Sequence, residues 1–338
     1  MTKVRAWAAE GPNKPFVPFE YVLPDLGDDE VDIDVLWCGL CHSDMSMWRN
    51  EWKRTIYPFV GGHEIIGRIR AKGAGVPNLN VGQTVGLGWF SRSNLASAQC
   101  LAGDHHLSPG NQATIAGRHG GFADIVRCQW VWAVPLPDRL DETKAGPLFC
   151  GGITVFQPIY DMELKPTGKA AVIGIGGLGH IAMQILGKWG CEVTAFTSSP
   201  DKAEEATRYG AHRIVDTRDP PSWKESNGRF DLVLVTANAA LDWPRLAATL
   251  APRGRLHIVG GVQEPISLPL SSLMGGQKSL SASPVGGPAA TAAMLDFCAR
   301  HGIHPVTEQF PLSKINEAMA HLDAGRARYR IVLENDLT

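Results

Sequence analysis

Ala170-Ala171-Val172-Ile173-Gly174-Ile175-Gly176-Gly177-Leu178-Gly179 is the stretch that decides how this chain folds. Four small or branched apolar residues make a short buried strand, glycines follow at 174, 176 and 179, and residues 180–189 carry helix-like apolar spacing. A glycine-rich hexapeptide alone is weak evidence. Placed between a strand and a helix, it specifies a dinucleotide site. Gly174 permits the tight turn, Gly176 lets a pyrophosphate approach the backbone, and Gly179 lets the helix pack on the strand, with Gly177 and Leu178 completing the loop. The helix N-terminus then offers unpaired N–H groups to the phosphates.

C-terminal to this motif the alternation continues, with strands predicted at 192–196, 213–215, 231–237 and 255–259 and a helix around 202–209. That is the grammar of a parallel, doubly wound α/β domain. Cofactor choice is read at the end of the second strand, where an acid would bind the ribose 2′-hydroxyl of NAD and repel a 2′-phosphate. This chain instead has Thr197, Ser198 and Ser199, then Lys202 after Pro200-Asp201: hydroxyls and a cation, suited to NADP. A helix cap at Ser199 beside a solvated Lys202 is compatible with the same residues.

N-terminal to it, glycine, proline and short alternating stretches such as Val31-Asp32-Ile33-Asp34-Val35-Leu36-Trp37 and Val81-Gly82-Gln83-Thr84-Val85-Gly86 signal strands and turns. Three settings carry chemistry: Gly39-Leu40-Cys41-His42-Ser43-Asp44, Gly61-Gly62-His63-Glu64-Ile65-Ile66-Gly67, and Pro147-Leu148-Phe149-Cys150-Gly151-Gly152-Ile153-Thr154. Two thiolates and an imidazole leave a tetrahedral zinc one open position, which is the mark of a catalytic site.

In these motifs and their order, over residues 4–333, the chain resembles the zinc-dependent medium-chain alcohol dehydrogenases, and among them the cinnamyl-alcohol-dehydrogenase-like NADPH aldehyde reductases. The resemblance implies an α/β fold of two domains. A GroES-like, mostly-β catalytic domain is formed by residues 1–150 and 288–338, a Rossmann NADP-binding domain by 151–287 is inserted in it, and the active site lies in the cleft between them. It implies one catalytic zinc on Cys41, His63 and Cys150. Glu64 resembles an acid that approaches the metal when water or product exchanges, Asp44 the carboxylate that receives the N–H of His63, and Ser43 the hydroxyl that passes the alcohol proton. Thr154, Thr236, Gly261, Ser283 and Val285 match cofactor-lining positions; Arg330 matches one reaching the phosphates, and His42 one that assists there. Trp52, Trp89 and Pro284 match the substrate side, near Val285, Leu273 and Met274. With no arginine cluster there, the resemblance implies aliphatic or aromatic aldehydes and primary alcohols as substrates. It further implies a homodimer paired at the sheet edge near Lys278-Ser279-Leu280-Ser281.

Two features depart from the family. Relatives usually carry a proton-relay histidine three residues after the Ser43 position, and here Ser46 stands there. The lobe that usually binds a structural zinc through four cysteines reads Asn94, Ser97, Cys100 and Ser108, and one thiolate cannot hold a closed tetrahedral site. His105 and His106 are adjacent, so their side chains rarely converge, and a rebuilt site is not expected.

Composition sets the remaining bounds. The chain has 338 residues, 44% hydrophobic and 20% charged, with a formal net charge of -2, which gives no electrostatic reason to expect nucleic acid or an anionic membrane as partner. No apolar leader core and no run of about 18 apolar residues is present, so the cytoplasm is expected. Seven irregularly spaced cysteines do not form a disulfide framework. Cys38, Cys128, Cys191 and Cys298 read as small buried hydrophobes. The expectation is therefore reversible hydride transfer between NADP(H) and aldehydes or alcohols. The alternatives are a zinc-independent NADPH quinone or enone reductase of the same fold and a non-catalytic NADPH-binding protein; metal content separates them.

Overall fold

Strand Glu30–Leu40 is the axis on which the first part of the molecule is assembled. It pairs antiparallel with Glu64–Lys72 along one side. On the other side its first half pairs with Ile125–Gln129 and its last residues pair with Arg330–Glu334. The alternating pattern predicts residues 31–37 as strand; Cys38, Gly39 and Leu40 prolong it because each still has a cross-strand partner. Residues 81–83, expected to begin a strand, form a turn with Gly82 at φ 85°, and the strand is Thr84–Leu87. Val31, Ile33, Val35, Ile65, Ile69 and Phe122 bury their side chains in a shared core. Directly opposite across the ladder, Asp32 and Arg127 form a buried two-pronged ion pair at 2.7 and 3.0 Å.

The computed structural model describes residues 1–199, 201–262 and 264–337. Its chain divides into two units, residues 1–150 with 285–338 and residues 151–284. The second crossing falls at Val285, and Pro288 at the first turn starts helix Pro288–His301.

Among the described residues the second unit contains six parallel strands: β1 (Lys169–Ile173), β2 (Glu192–Thr197), β3 (Arg213–Asp216), β4 (Phe230–Val235), β5 (Leu250–Ile258) and β6 (Ser279–Ala282). Their order is β3-β2-β1-β4-β5-β6. The order reverses between β1 and β4, the switch point at which such sheets bind ligands beyond their strand ends. Ala170, Ala171, Val172 and Leu232 to Val235 are fully buried, as expected of strands covered on both faces. β5 begins at Leu250, earlier than the expected 255, because Phe230 pairs with Leu250 before the register shifts between Phe230 and Leu232.

His257 on β5 lies opposite Ser281 of β6. Its Nδ1 is 2.8 Å from the Ser281 hydroxyl and its Nε2 3.0 Å from that of Ser283. Burial, helped by Arg255, pulls its pKa down from 6.5 to about 4. Between those values the unfolded chain binds a proton that the folded chain refuses. The stabilisation is therefore complete above pH 6.5 and is lost as the pH falls toward 4, at a cost of about 2 kcal/mol by pH 4.5. Urea unfolding at pH 7.5 and 4.5 should show that His257→Gln loses about that much less stability on acidification than the wild type; an equal loss in both would assign the effect to other groups.

Candidate active site

Cys41 follows the central strand directly and caps helix α1 (His42–Trp48). Three residues on, Asp44 is fully buried, and its carboxylate does three things at once. Oδ2 accepts the N–H of Cys41 at 3.0 Å, which closes the helix start. Oδ1 accepts the N–H of Gly62 at 2.8 Å and faces His63 Nδ1 at 3.1 Å. A carboxylate at Nδ1 makes that nitrogen the donor, so Nε2 turns its lone pair inward, where it lies 3.3 Å from Cys150 Sγ. Gly62 sits at φ 93°, and a Cβ there would meet Cys38 Sγ and Phe122 at 2.8 Å; only glycine permits the approach.

Strand register brings the remaining residues to the same sheet end. Gly39 lies opposite Glu64 on one side and Val332 on the other, so Cys41, His63, Glu64 and Arg330 cluster around the end of the central strand. A Cβ on Gly39 would collide with the Glu64 side chain. Cys150 is delivered by the buried turn Gly146–Phe149, whose Gly146 leaves room for the backbone of Glu64. One ligand atom from each of Cys41, His63, Glu64 and Cys150 lies within 4.8 Å of the others, and all four residues are buried.

Electrostatics favour a cation at this cluster. Cys41 is held well below the usual thiol range, first by the hydrogen bond from Cys150 and then by Arg330 and His63. Cys150 moves the other way because it holds the proton shared with Cys41. Burial works against charge on His63, but Asp44 and Cys41 outweigh it and raise its pKa. Burial pushes Glu64 up to about 7 despite the charge of Arg330. Its Oε1 is paired with the Arg330 guanidinium, and its Oε2 is buried with no hydrogen-bond partner. An orphaned carboxylate oxygen beside two thiols and a correctly turned imidazole fits a zinc ion. With Glu64 and Arg330 cancelling, two thiolates would balance its two positive charges.

Around this cluster Ser43 is half-buried and His42 exposed. The Trp89 ring lies edge-on to His63, centroids 5.0 Å apart, and meets Trp52 at 5.8 Å. No sequence pattern singles out Arg54, whose guanidinium sits 5.1 Å from the Trp52 ring and 5.7 Å from that of Trp89. Arg330, expected to reach cofactor phosphates, is engaged by Glu64, 266 residues away in sequence. In the lobe, the Ser97 and Ser108 hydroxyls bond at 2.9 Å, Ser97 accepts the N–H of Cys100 at 3.2 Å, and Asn94 carries the N–H of Ser97 on its carbonyl at 2.9 Å. Hydrogen bonds thus join Asn94, Ser97, Cys100 and Ser108.

In the second unit, Gly174 has φ 96° and opens the loop that leads to helix α2 (Gly179–Trp189). A Cβ on Gly179 would strike the Gly174 carbonyl, whereas one on Gly176 would meet nothing within 4 Å. Gly176 thus faces open space, and Gly177 and Leu178 continue the loop into the helix. The Thr236 hydroxyl bonds the carbonyls of Ile173 and Gly174 at 3.0 Å and so braces the loop. Thr197 Oγ1 accepts the N–H of Ser199 at 3.0 Å, Ser198 is exposed, and Lys202 Nζ donates to the Ile175 carbonyl at 2.9 Å. Thr154 is buried, Ser283 meets His257, Val285 is half-buried, and Pro284 is exposed. Nothing closer than 3.8 Å would meet a Cβ on Gly261.

Residues 27–138 match the alcohol dehydrogenase GroES-like domain, and residues 177–300 the zinc-binding dehydrogenase domain. The chain is 52% identical to the aldehyde reductase AdhA of Synechocystis sp., over 98% of this chain and 99% of that one. It is 34% identical to a probable cinnamyl alcohol dehydrogenase of rice, over 98% and 95%. Among solved structures it is similar to a cinnamyl alcohol dehydrogenase of Sorghum bicolor, with TM-score 0.93 and 32% identity over 98% of both chains. It is also similar to the enzyme of that type from Helicobacter pylori complexed with NADP(H), with TM-score 0.90 and 26% identity over 98% of both. The chain belongs to the zinc-binding alcohol dehydrogenase family, built from a GroES-like domain and a nucleotide-binding domain.

Proposed function

We propose that this chain is an NADP(H)-dependent aldehyde reductase and alcohol dehydrogenase with one catalytic zinc. The observation that carries the reading is the buried convergence of Cys41, His63 and Cys150 with Glu64. A quinone reductase or a non-catalytic NADPH-binding protein would have no use for that ligand set. The relatives named as an aldehyde reductase and as cinnamyl alcohol dehydrogenases, and the NADP(H) complex of one similar structure, support the substrate class and the cofactor.

When bound, zinc supplies a Lewis acid for the carbonyl oxygen and the nicotinamide supplies the hydride. The protein's own residues do the rest. Asp44 holds His63 in the tautomer that ligates and keeps the start of α1 fixed beneath Cys41. Ser43 hands a proton to the product oxygen or takes one from the alcohol. Arg330 neutralises Glu64, which otherwise would bring a third negative charge to the ligand cluster. Trp52 and Trp89 would wall the substrate, and planar apolar aldehydes suit them. In the second unit, Gly174, Gly176, Gly177, Leu178 and Gly179, with Thr154, Thr197, Ser198, Ser199, Lys202, Thr236, Gly261 and Ser283, are the residues assigned to the cofactor. The family zinc lobe is replaced by the Ser97–Ser108 hydrogen bond.

A dimer and a cytoplasmic site belong to the same proposal. β6 is an edge strand of its sheet, and Leu280 on it is 37% exposed. Pairing two such edges removes a liability. Among the described residues no helix is long and apolar enough to cross a membrane.

Three measurements test this reading. Elemental analysis of purified protein should give about one zinc per chain, and Cys41→Ser should lose both metal and activity because a hydroxyl is a much poorer ligand than a thiolate; two zinc ions per chain would contradict the lobe assignment. Steady-state kinetics should give a larger kcat/KM with NADPH than with NADH. Lys202→Ala should shrink that preference about 10-fold or more, the range for a charge-assisted hydrogen bond to phosphate, and an unaltered ratio would mean another residue reads the 2′-phosphate. Light scattering should report a dimer, and a monomer at micromolar concentration would remove the edge-pairing proposal.

A further inference from the structure

The loop that follows helix α1 is braced at both ends. Asn50 adopts a left-handed φ of 57°, its N–H donates to the Met47 carbonyl at 2.9 Å, and its side-chain oxygen accepts the N–H of Thr55 at 3.1 Å. The Thr55 hydroxyl donates to the Met47 carbonyl at 2.6 Å, and the Tyr57 hydroxyl donates to that of Trp48 at 2.8 Å. Residues 51–54 are therefore held as a short arch at the end of α1. From this arch Trp52 and Arg54 reach Trp89. The two indoles meet at 76° with centroids 5.8 Å apart, and the Arg54 guanidinium sits 5.1 Å from the first and 5.7 Å from the second. Rings standing nearly at right angles make a corner, and one cation lies against both of its walls.

No acid of the loop neutralises that cation. Glu51 accepts the Ser46 hydroxyl at 2.6 Å and faces Arg49 at 3.9 Å. Among the described residues the contacts of the Arg54 guanidinium are the two rings, and no carboxylate pairs with it. A guanidinium meets a ring through its flat face while its N–H groups project from its edge, so stacking leaves donors for a planar anion. Apolar walls on one side also lower the local dielectric, which strengthens such a pair. Arg54 is exposed, so an anion can reach it.

Trp89 is also the ring that stands edge-on to His63, with centroids 5.0 Å apart, so the cation lies one indole away from the ligand cluster. A benzaldehyde with a para carboxylate spans roughly 8 Å between its terminal oxygens, the scale of that separation. We propose that Arg54 is a specificity-determining residue that selects aldehydes carrying a carboxylate at the end remote from the carbonyl, aromatic ones above all. This deepens the dehydrogenase reading above and rests on it. A neutral aldehyde uses the tryptophans alone; an aldehydic acid adds a two-pronged, charge-assisted pair with the guanidinium. That pair is remote from the reacting carbon and is made equally before and at the transition state, so its gain belongs to KM rather than to kcat.

The test compares para-carboxybenzaldehyde with benzaldehyde as substrates of the zinc-loaded enzyme with NADPH at pH 7, where the carboxyl group is ionised. Wild type should favour the acid in kcat/KM, through a lower KM. Arg54→Gln should shrink the ratio of the two kcat/KM values about 10-fold or more, the range for a charge-assisted hydrogen bond. Arg54→Lys, which keeps the charge but loses the planar fork, should fall between the two. The wild-type ratio should also shrink when sodium chloride is raised to about 0.5 M. Lys53→Gln, which removes the neighbouring exposed cation, should keep the wild-type ratio. A guanidinium that only braced the tryptophans would slow both substrates alike in Arg54→Gln, and an unaltered ratio there would overturn the proposal. So would an equal fall in Lys53→Gln, which would assign the preference to the general charge of the loop. Turnover of benzaldehyde by wild type with no preference for the acid would remove this proposal and leave the dehydrogenase reading standing, whereas turnover of neither aldehyde would bring down both.

Discussion

One carboxylate, that of Asp44, is the constraint on which the site depends. It is fully buried, and its charge is tolerated because two backbone N–H groups and one imidazole N–H point at it. Each of those donors belongs to a different piece of the site: the start of α1, the Gly61-Gly62 loop and His63. Removing the carboxylate would therefore not delete one hydrogen bond. It would release the helix cap, the loop and the ring orientation together, which is why such a residue behaves as part of the ligand set although it ligates nothing.

The second constraint is steric. Gly39 has no side chain exactly where Glu64 must lie opposite it, and Gly62 and Gly146 leave room for Phe122 and for the Glu64 backbone. The ligand cluster is thus made by pairing register as much as by ligand chemistry. Antiparallel pairing sends the central strand toward the site and starts its two neighbours there, so residues far apart in sequence meet at one sheet end.

That division explains what the sequence could and could not say. The glycine loop, the alternating strands and the three ligand settings were legible because each is a local pattern with a local physical cause. Arg330 against Glu64 was not, since the pairing of strand Arg330–Glu334 with the central strand leaves no trace in either segment alone. Arg54 over the two tryptophans was not either: three residues of unrelated types converge only once the loop after α1 is folded. The Ser46–Glu51 contact is intermediate. Its cause, Asn50 at a helix end, is written in the sequence, but α1 has only seven residues and its end could not be placed without the structure.

The pairing of Glu64 with Arg330 also explains why a buried acid can coexist with two thiolates. An unpaired Glu64 would either take up a proton, as its upward pKa shift indicates, or carry a third negative charge into a site whose cation holds only two positive ones. The guanidinium supplies the missing charge through Oε1 and leaves Oε2 without a hydrogen bond. Oε2 is therefore the one oxygen in the cluster that a metal could recruit at no cost in existing hydrogen bonds. Replacing the arginine with a lysine would keep the charge but surrender the planar guanidinium that holds Oε1, and Glu64 would then be free to turn either oxygen toward the metal.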